Sequence, residues 1–292
     1  MKDKKIAIIG IGGVGGFLAA KLSEVLKVDL ITSNPKNFED GIVLIEKDKK
    51  KVYKNFNIYS TPPKDKIYDA IIFTTKSYAL KDAAKKMLQN VSKETIILPL
   101  LNGVEPYEIL KDIFKNSLVA KGAIYIISNK IDKNKIKLKG KGAYIVFGEE
   151  DIEPLTWLND MFLKANIKTK LTKDIDKEVW KKYLFIASTA ALTTYYKKSF
   201  GEIAKEHLNE FEELLDEIIK IANQKGVNLN EEDKKRAIEI LLKSPPSSKT
   251  SMQLDFENKK ESEIENILGY LAKESPNSKL FEIYKKLKTN IW

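Results

Sequence analysis

The chain has 292 residues, 43% of them hydrophobic, enough to build a core in one large domain or two ordinary ones. It has no cysteine, which excludes disulfides, thiolate nucleophiles and cysteine-ligated zinc, and no run approaches the roughly 18 apolar residues of a membrane span. The formal charge of +10 comes from lysines scattered in pairs among acids, with no arginine cluster interleaved with aromatics. Solvated faces and an attraction for anionic small molecules are therefore expected, rather than nucleic-acid or membrane binding.

The first predicted element is a buried strand, Ile6-Ala7-Ile8-Ile9, beginning within a few residues of the first one. With no apolar leader before it, a cytoplasmic protein is expected. The strand runs into Gly10-Ile11-Gly12-Gly13-Val14-Gly15-Gly16, and the apolar positions from Phe17 to Leu22 predict a helix starting near Val14. The spacing is G-x-G-x-x-G. Gly10 permits the tight turn, Gly12 lets a pyrophosphate approach the backbone, and Gly15 lets helix and strand pack closely. Ile11, Gly13 and Val14 complete a loop whose N–H groups, at a helix N-terminus, suit phosphates. A dinucleotide site is expected.

The second strand, residues 28–32, ends in Ser33-Asn34-Pro35-Lys36. Asp29 stands too early to hold a ribose hydroxyl at the strand end. Hydroxyls, an amide and a lysine suit a 2′-phosphate better, so Ser33 and Lys36 are cofactor candidates and NADP is favoured, with NAD left open. Further strands are predicted at residues 70–74, 95–100, 118–127, 136–138 and 143–147, with helices at 79–90 and 105–114. This alternation predicts a parallel sheet with helical crossovers, and the last strands read as an antiparallel addition to it.

From about Leu171 only helical periodicity remains, at residues 177–196, 201–226, 231–243, 261–274 and 279–289, with a break at Pro245-Pro246-Ser247-Ser248. The expected fold is a Rossmann-like doubly wound α/β domain over residues 1–172 and an all-α domain over 173–292. The second domain is expected to cover the nicotinamide end and supply substrate contacts. The stripe Leu214, Leu215, Ile218 and Ile219 reads as core, which leaves monomer and homodimer both open. His207, the one histidine, reads as lying on a solvated helix face.

Four segments carry candidate chemistry: Thr74-Thr75-Lys76 and Leu100-Leu101-Asn102-Gly103 at strand ends, Val179-Trp180-Lys181-Lys182 opening the helical half, and Thr250-Ser251-Met252 with Glu263 beyond it. With the glycine motif, and in this order, they resemble the 2-dehydropantoate (ketopantoate) reductase family over nearly the whole chain. The resemblance implies NADPH-dependent reduction of ketopantoate to (R)-pantoate in pantothenate biosynthesis. It makes Lys182 the general acid that protonates the ketone oxygen as hydride arrives, a role favoured by burial, which lowers a lysine pKa. It implies that Glu263 positions the substrate hydroxyl and the lysine, and that Ser251 binds the substrate's carboxylate or a neighbouring oxygen. Asn102 would hold the reacting end beside the nicotinamide, and Lys76 would line the cofactor–substrate junction. No metal is implied.

The family carries asparagines four and eight residues after this lysine; here those positions are Ile186 and Ala190. An unpaired polar group on the substrate would cost about 1–3 kcal/mol for each missing partner. Ser188, Thr189, Thr193 or Thr194 would compensate only on a rotated or repacked helix. A less polar 2-oxo acid is therefore the alternative substrate. A non-catalytic dinucleotide-binding sensor is a third reading, against which Lys182 and Glu263 together speak.

Overall fold

A computed structural model describes residues 4–289, the side chain of Lys141 excepted. The chain passes through β1 (Ile6–Ile9), α1 (Gly13–Leu22), β2 (Val28–Ile31), β3 (Ile42–Glu46), β4 (Lys49–Tyr53) and β5 (Phe56–Tyr59). There follow β6 (Ala70–Phe73), α2 (Leu80–Lys85), β7 (Ile96–Pro99), α3 (Glu105–Ile113) and β8 (Leu118–Val119). The α/β half closes with β9 (Lys121–Lys130), β10 (Lys135–Gly148), α4 (Thr156–Lys164) and β11 (Lys168–Leu171).

β1 is buried at every position because it is a central strand covered on both faces. Ile6 and Ile8 enter one hydrophobic core, Ala7 and Ile9 the other. It sits in a six-stranded sheet of order β5-β2-β1-β6-β7-β8, in which every pairing is parallel. This is the doubly wound order, and the strand sequence reverses between β1 and β6, the point where such sheets bind ligands. One face packs on α2 and α3 through Leu80, Ala84 and Leu110. The other shares a core with α1, α4 and a second sheet, through residues such as Phe17, Phe162 and Phe147.

That second sheet corrects the expectation of an antiparallel addition to the first. Its order is β11-β10-β3-β4, with β9 paired to β10. The predicted strand at 118–127 is in fact two: Leu118–Val119 extends the parallel sheet, and after Ala120 the chain enters β9 in the other sheet. The segments at 136–138 and 143–147 join into one strand, β10, whose register with β9 shifts between Lys139 and Tyr144. Gly140 and Gly142 supply positive φ there, as a bulge requires. Strands β4, β5 and β11 were hidden from periodicity because they are lysine-rich or partly exposed along much of their length, whereas β3 is an apolar run, Ile-Val-Leu-Ile-Glu, that was not among the predicted strands.

Contacts divide the chain into two compact units: residues 1–101 with 106–175, and residues 102–105 with 176–292. The second unit is helical: α5 (Ile175–Tyr196), α6 (Phe200–Glu206), α7 (Leu208–Gln224), α8 (Glu231–Lys243), α9 (Ser251–Glu257), α10 (Tyr270–Glu274) and α11 (Lys279–Thr289). Its core includes Leu184, Ala187 and Ala191 of α5 and Leu214, Leu215 and Ile218 of α7. α8 starts with a reciprocal cap, in which the Asn230 side chain accepts from the N–H groups of Glu232 and Asp233 while Asp233 accepts from the Asn230 N–H.

Two helical expectations need correction. The stretch 201–226 breaks at His207, whose φ of −133° leaves the helical region. His207 is not on a solvated face: its ring stacks on Tyr196 with centroids 3.7 Å apart, and Nδ1 lies 2.8 Å from Glu210 Oε1. The stretch 261–274 becomes helical only at Ile264 and opens with a π turn over Glu265–Gly269. Among the described residues no helix is long and apolar enough to cross a membrane.

Candidate active site

The glycine turn leaves β1 at the point of strand reversal. Gly10 has φ +89°, and a Cβ there would lie 2.8 Å from the Thr75 backbone. At Gly15 a Cβ would lie 2.1 Å from the Gly10 carbonyl oxygen, so helix and turn approach as only glycine allows. The Thr74 hydroxyl donates to that same carbonyl at 2.6 Å and fixes the turn from β6. Gly12 differs: a Cβ on it would meet nothing within 4 Å. It opens α1 as N-cap, and among the described residues no side chain caps this helix end. The open space above Gly12 and the uncapped N–H groups of Gly13, Val14 and Gly15 fit a pyrophosphate. Ile11 is buried beside them. The Thr75 hydroxyl is buried with no hydrogen-bond partner among the described residues.

At the end of β2, Ser33 and Lys36 are exposed, Ser33 just before and Lys36 within a short 3₁₀ turn that spans Pro35–Phe38. Asp29 lies deeper, 1% exposed, and accepts from Asn57 Nδ2 at 2.9 Å, Lys66 Nζ at 2.6 Å and Tyr68 OH at 2.7 Å. Burial and this carboxylate push the Tyr68 phenol far up. Asp29 is thus a buried structural acid. Lys76 follows β6 as an extended, half-buried residue.

The helical unit brings together residues far apart in sequence. Lys182 Nζ donates to Asn102 Oδ1 at 3.0 Å. Burial lowers the Lys182 pKa to about 8, and the nearby charge of Glu263 opposes that shift. Glu263, one of several acids in its stretch of sequence, is only 8% exposed. Trp180 is buried edge-on to Tyr183, with ring centroids 5.6 Å apart. A desolvated lysine beside a carboxamide oxygen and a carboxylate can hold a proton and release it near neutral pH. Ser251 is exposed as the first residue of α9, while the neighbouring Thr250 caps that helix through the Gln253 N–H.

Asn266 was not among the residues singled out by sequence. Its Nδ2 donates to the Asn102 backbone carbonyl at 2.7 Å. The only signal was an amide in a stretch whose other inward positions, Ile264, Ile267, Leu268 and Leu271, are apolar.

Ile186 is half-buried and Ala190 fully buried, and three of the four hydroxyls around them are committed as donors. Ser188, Thr189 and Thr193 each donate to the carbonyl four residues back, and the Thr194 hydroxyl is buried without a partner among the described residues. Ser188, Thr189 and Thr193 are thus spent within the helix and do not replace a missing amide on it as it stands.

A family model described as ketopantoate reductase PanE/ApbA matches residues 6–151, and its C-terminal counterpart matches residues 174–279. The chain belongs to the ketopantoate reductase family. An uncharacterized oxidoreductase, YkpB of Bacillus subtilis, is 27% identical over 280 residues, covering 93% of this chain and 92% of that protein. A 2-dehydropantoate 2-reductase of Nostoc is 24% identical over 286 residues, covering 92% and 88%. The crystal structure of 2-dehydropantoate 2-reductase from Porphyromonas gingivalis has the same fold, with a TM-score of 0.85 at 23% identity over 98% of this chain and 99% of that one. So does D-mandelate dehydrogenase in a ternary structure with NADH and anilino(oxo)acetate, with a TM-score of 0.83 at 20% identity over 98% and 93%. Membership of the ketopantoate reductase family makes this chain an oxidoreductase.

Proposed function

We propose that this protein is an NADPH-dependent 2-dehydropantoate 2-reductase, reducing ketopantoate to (R)-pantoate, with Lys182 as the general acid. The observation that carries this reading is the Lys182 ammonium, 3.0 Å from Asn102 Oδ1 and with its pKa lowered to about 8. Bound at the glycine turn, a reduced nicotinamide dinucleotide supplies hydride to the substrate's carbonyl carbon. Lys182 hydrogen-bonds the carbonyl oxygen, stabilises the charge that develops there and gives it the proton. Glu263 keeps the lysine charged until that moment and accepts from the substrate hydroxyl. Asn102 orients the ammonium, Ser251 binds the carboxylate, and Lys76 lies beside the reacting end of the cofactor. The preference for NADPH is supported by the commitment of Asp29 to Lys66 and Tyr68, and by exposed Ser33 and Lys36 after β2. We take residues 1–172 as the cofactor domain and 173–292 as the substrate domain of a cytoplasmic enzyme.

A second reading keeps the reaction and changes the substrate to a less polar 2-oxo acid. Ile186, Ala190 and the committed hydroxyls of Ser188, Thr189 and Thr193 favour it. The D-mandelate dehydrogenase neighbour, solved with anilino(oxo)acetate, is a protein of the same fold whose ligand is aromatic. One experiment tests both: steady-state oxidation of NADPH, and separately NADH, with ketopantoate, branched aliphatic and aromatic 2-oxo acids. The highest kcat/KM for ketopantoate with NADPH supports the first reading. A clear preference for an apolar 2-oxo acid supports the second. Tight cofactor binding without consumption on any of them overturns both and leaves a dinucleotide sensor.

A further inference from the structure

Asn266 is 2% exposed, and its two polar atoms are used unequally. Nδ2 donates to the Asn102 carbonyl at 2.7 Å, across 164 residues of chain, while Oδ1 is buried with no hydrogen-bond partner among the described residues. A leucine has the same side-chain branching and would bury no side-chain acceptor without a donor, so packing alone does not account for an amide here.

Three surrounding features hold this amide in place. It lies in the π turn Glu265–Gly269, closed by the Tyr270 N–H on the Glu265 carbonyl, and such turns redirect single side chains. The Tyr183 hydroxyl lies 3.2 Å from the Asn266 carbonyl and 3.0 Å from that of Ile267, bracing the turn from the helix that bears Lys182. Gly103, at φ +88°, presents a bare Cα to the carboxamide; a Cβ there would lie 2.9 Å from Asn266 Oδ1. The backbone of Asn102 and Gly103 is thus held flat against Asn266. The side chain of the same Asn102 accepts from Lys182 at 3.0 Å.

We propose that Asn266 is a positioning residue: by holding the Asn102 carbonyl it fixes the Asn102 side chain as the acceptor for the Lys182 ammonium. Its importance for turnover rests on the reading of Lys182 as proton donor, but its effect on Lys182 is measurable without turnover. Asn102 contributes two contacts, its main chain to Asn266 and its side chain to Lys182. Releasing the first lets the second drift, and the ammonium loses an acceptor that favours its charged form.

The test is Asn266→Leu in the full-length protein. Competitive labelling of Lys182 with acetic anhydride across pH, followed by mass spectrometry, reports the amine's titration whether or not a substrate is turned over. The proposal predicts that this titration moves down by about half a unit or more. It also predicts that kcat falls about ten- to a hundredfold while KM for NADPH is kept; the melting temperature drops as the Asn102 carbonyl loses its donor. An unchanged Lys182 titration overturns the proposal, even if activity falls through a smaller folded fraction. If the leucine variant does not fold, Asn266→Ala is carried through the same measurement. Absence of turnover in the unaltered protein would count against the reductase reading alone, since the labelling still decides whether Asn266 positions Lys182.

Discussion

The glycine turn and the lysine cluster are built on opposite principles. The turn works through what its residues lack: Gly10 has a φ that side chains rarely adopt, Gly15 touches a carbonyl where a Cβ would stand, and Gly12 leaves open space. All of it lies within one short stretch of chain. The lysine cluster works through what its residues carry, an ammonium, a carboxamide and a carboxylate gathered from three distant stretches at Lys182, Asn102 and Glu263. A backbone site is therefore legible as local spacing, whereas a side-chain site is assembled only by the fold.

The largest expected effect separates the two regions cleanly. Lys182→Ala removes the proton donor and should lower kcat about 10²- to 10⁴-fold while NADPH binding, followed by fluorescence titration, stays intact. Loss of cofactor affinity in the same variant would mean that the cluster also builds the cofactor site.

A second pair of variants divides the turn internally. Gly15→Ala forces a Cβ against the Gly10 carbonyl and should destabilise the protein by about 1–3 kcal/mol or more, read by urea denaturation. Gly12→Ala puts a methyl where, apart from its chain neighbours, no atom of the described residues lies within 4 Å, and should change stability by less than about 0.5 kcal/mol. It should nevertheless weaken NADPH binding by about tenfold or more, equivalent to 1.4 kcal/mol, because its methyl occupies the pyrophosphate's space. Equal behaviour of the two variants would break the distinction between a packing glycine and a ligand glycine.

The smallest expected effect on the cofactor concerns Asp29, an acid within the cofactor domain that the pairing with Asn57, Lys66 and Tyr68 makes structural. Asp29→Asn should cost about 1–3 kcal/mol of stability and leave the ratio of NADPH to NADH affinity unchanged. A change in that ratio would make Asp29 a cofactor-selecting residue after all.

Much of the parallel sheet was legible because its central strands are continuous apolar runs and its turn is punctuated by glycine. The second sheet was legible only in β9 and β10, and not as a sheet of its own. β4 reads Lys-Lys-Lys-Val-Tyr, and what makes it a strand is its pairing with β3, not its own pattern. His207 looked solvated because the sequence around it is charged; the aromatic face it stacks on, Tyr196, belongs to another helix. Glu263 could be singled out only through the family resemblance, since nothing local distinguishes it from Glu257, Glu261 or Glu265. Asn266 escaped because its use depends on a π turn and on a glycine 163 positions away at Gly103, neither of which leaves a periodic trace.

The central claim is that a desolvated Lys182 carries the transferred proton, and its pH dependence tests this most directly. The folded-state pKa is lowered to about 8, so the ammonium is intact below that pH and is lost above it. With saturating NADPH, kcat/KM for the best 2-oxo acid should be level below about pH 8 and then fall about tenfold per pH unit. The reverse oxidation, which needs the neutral amine, should rise through the same range. A reduction rate that stays flat from pH 7 to about 10, where an unshifted lysine would still be charged, would contradict the account.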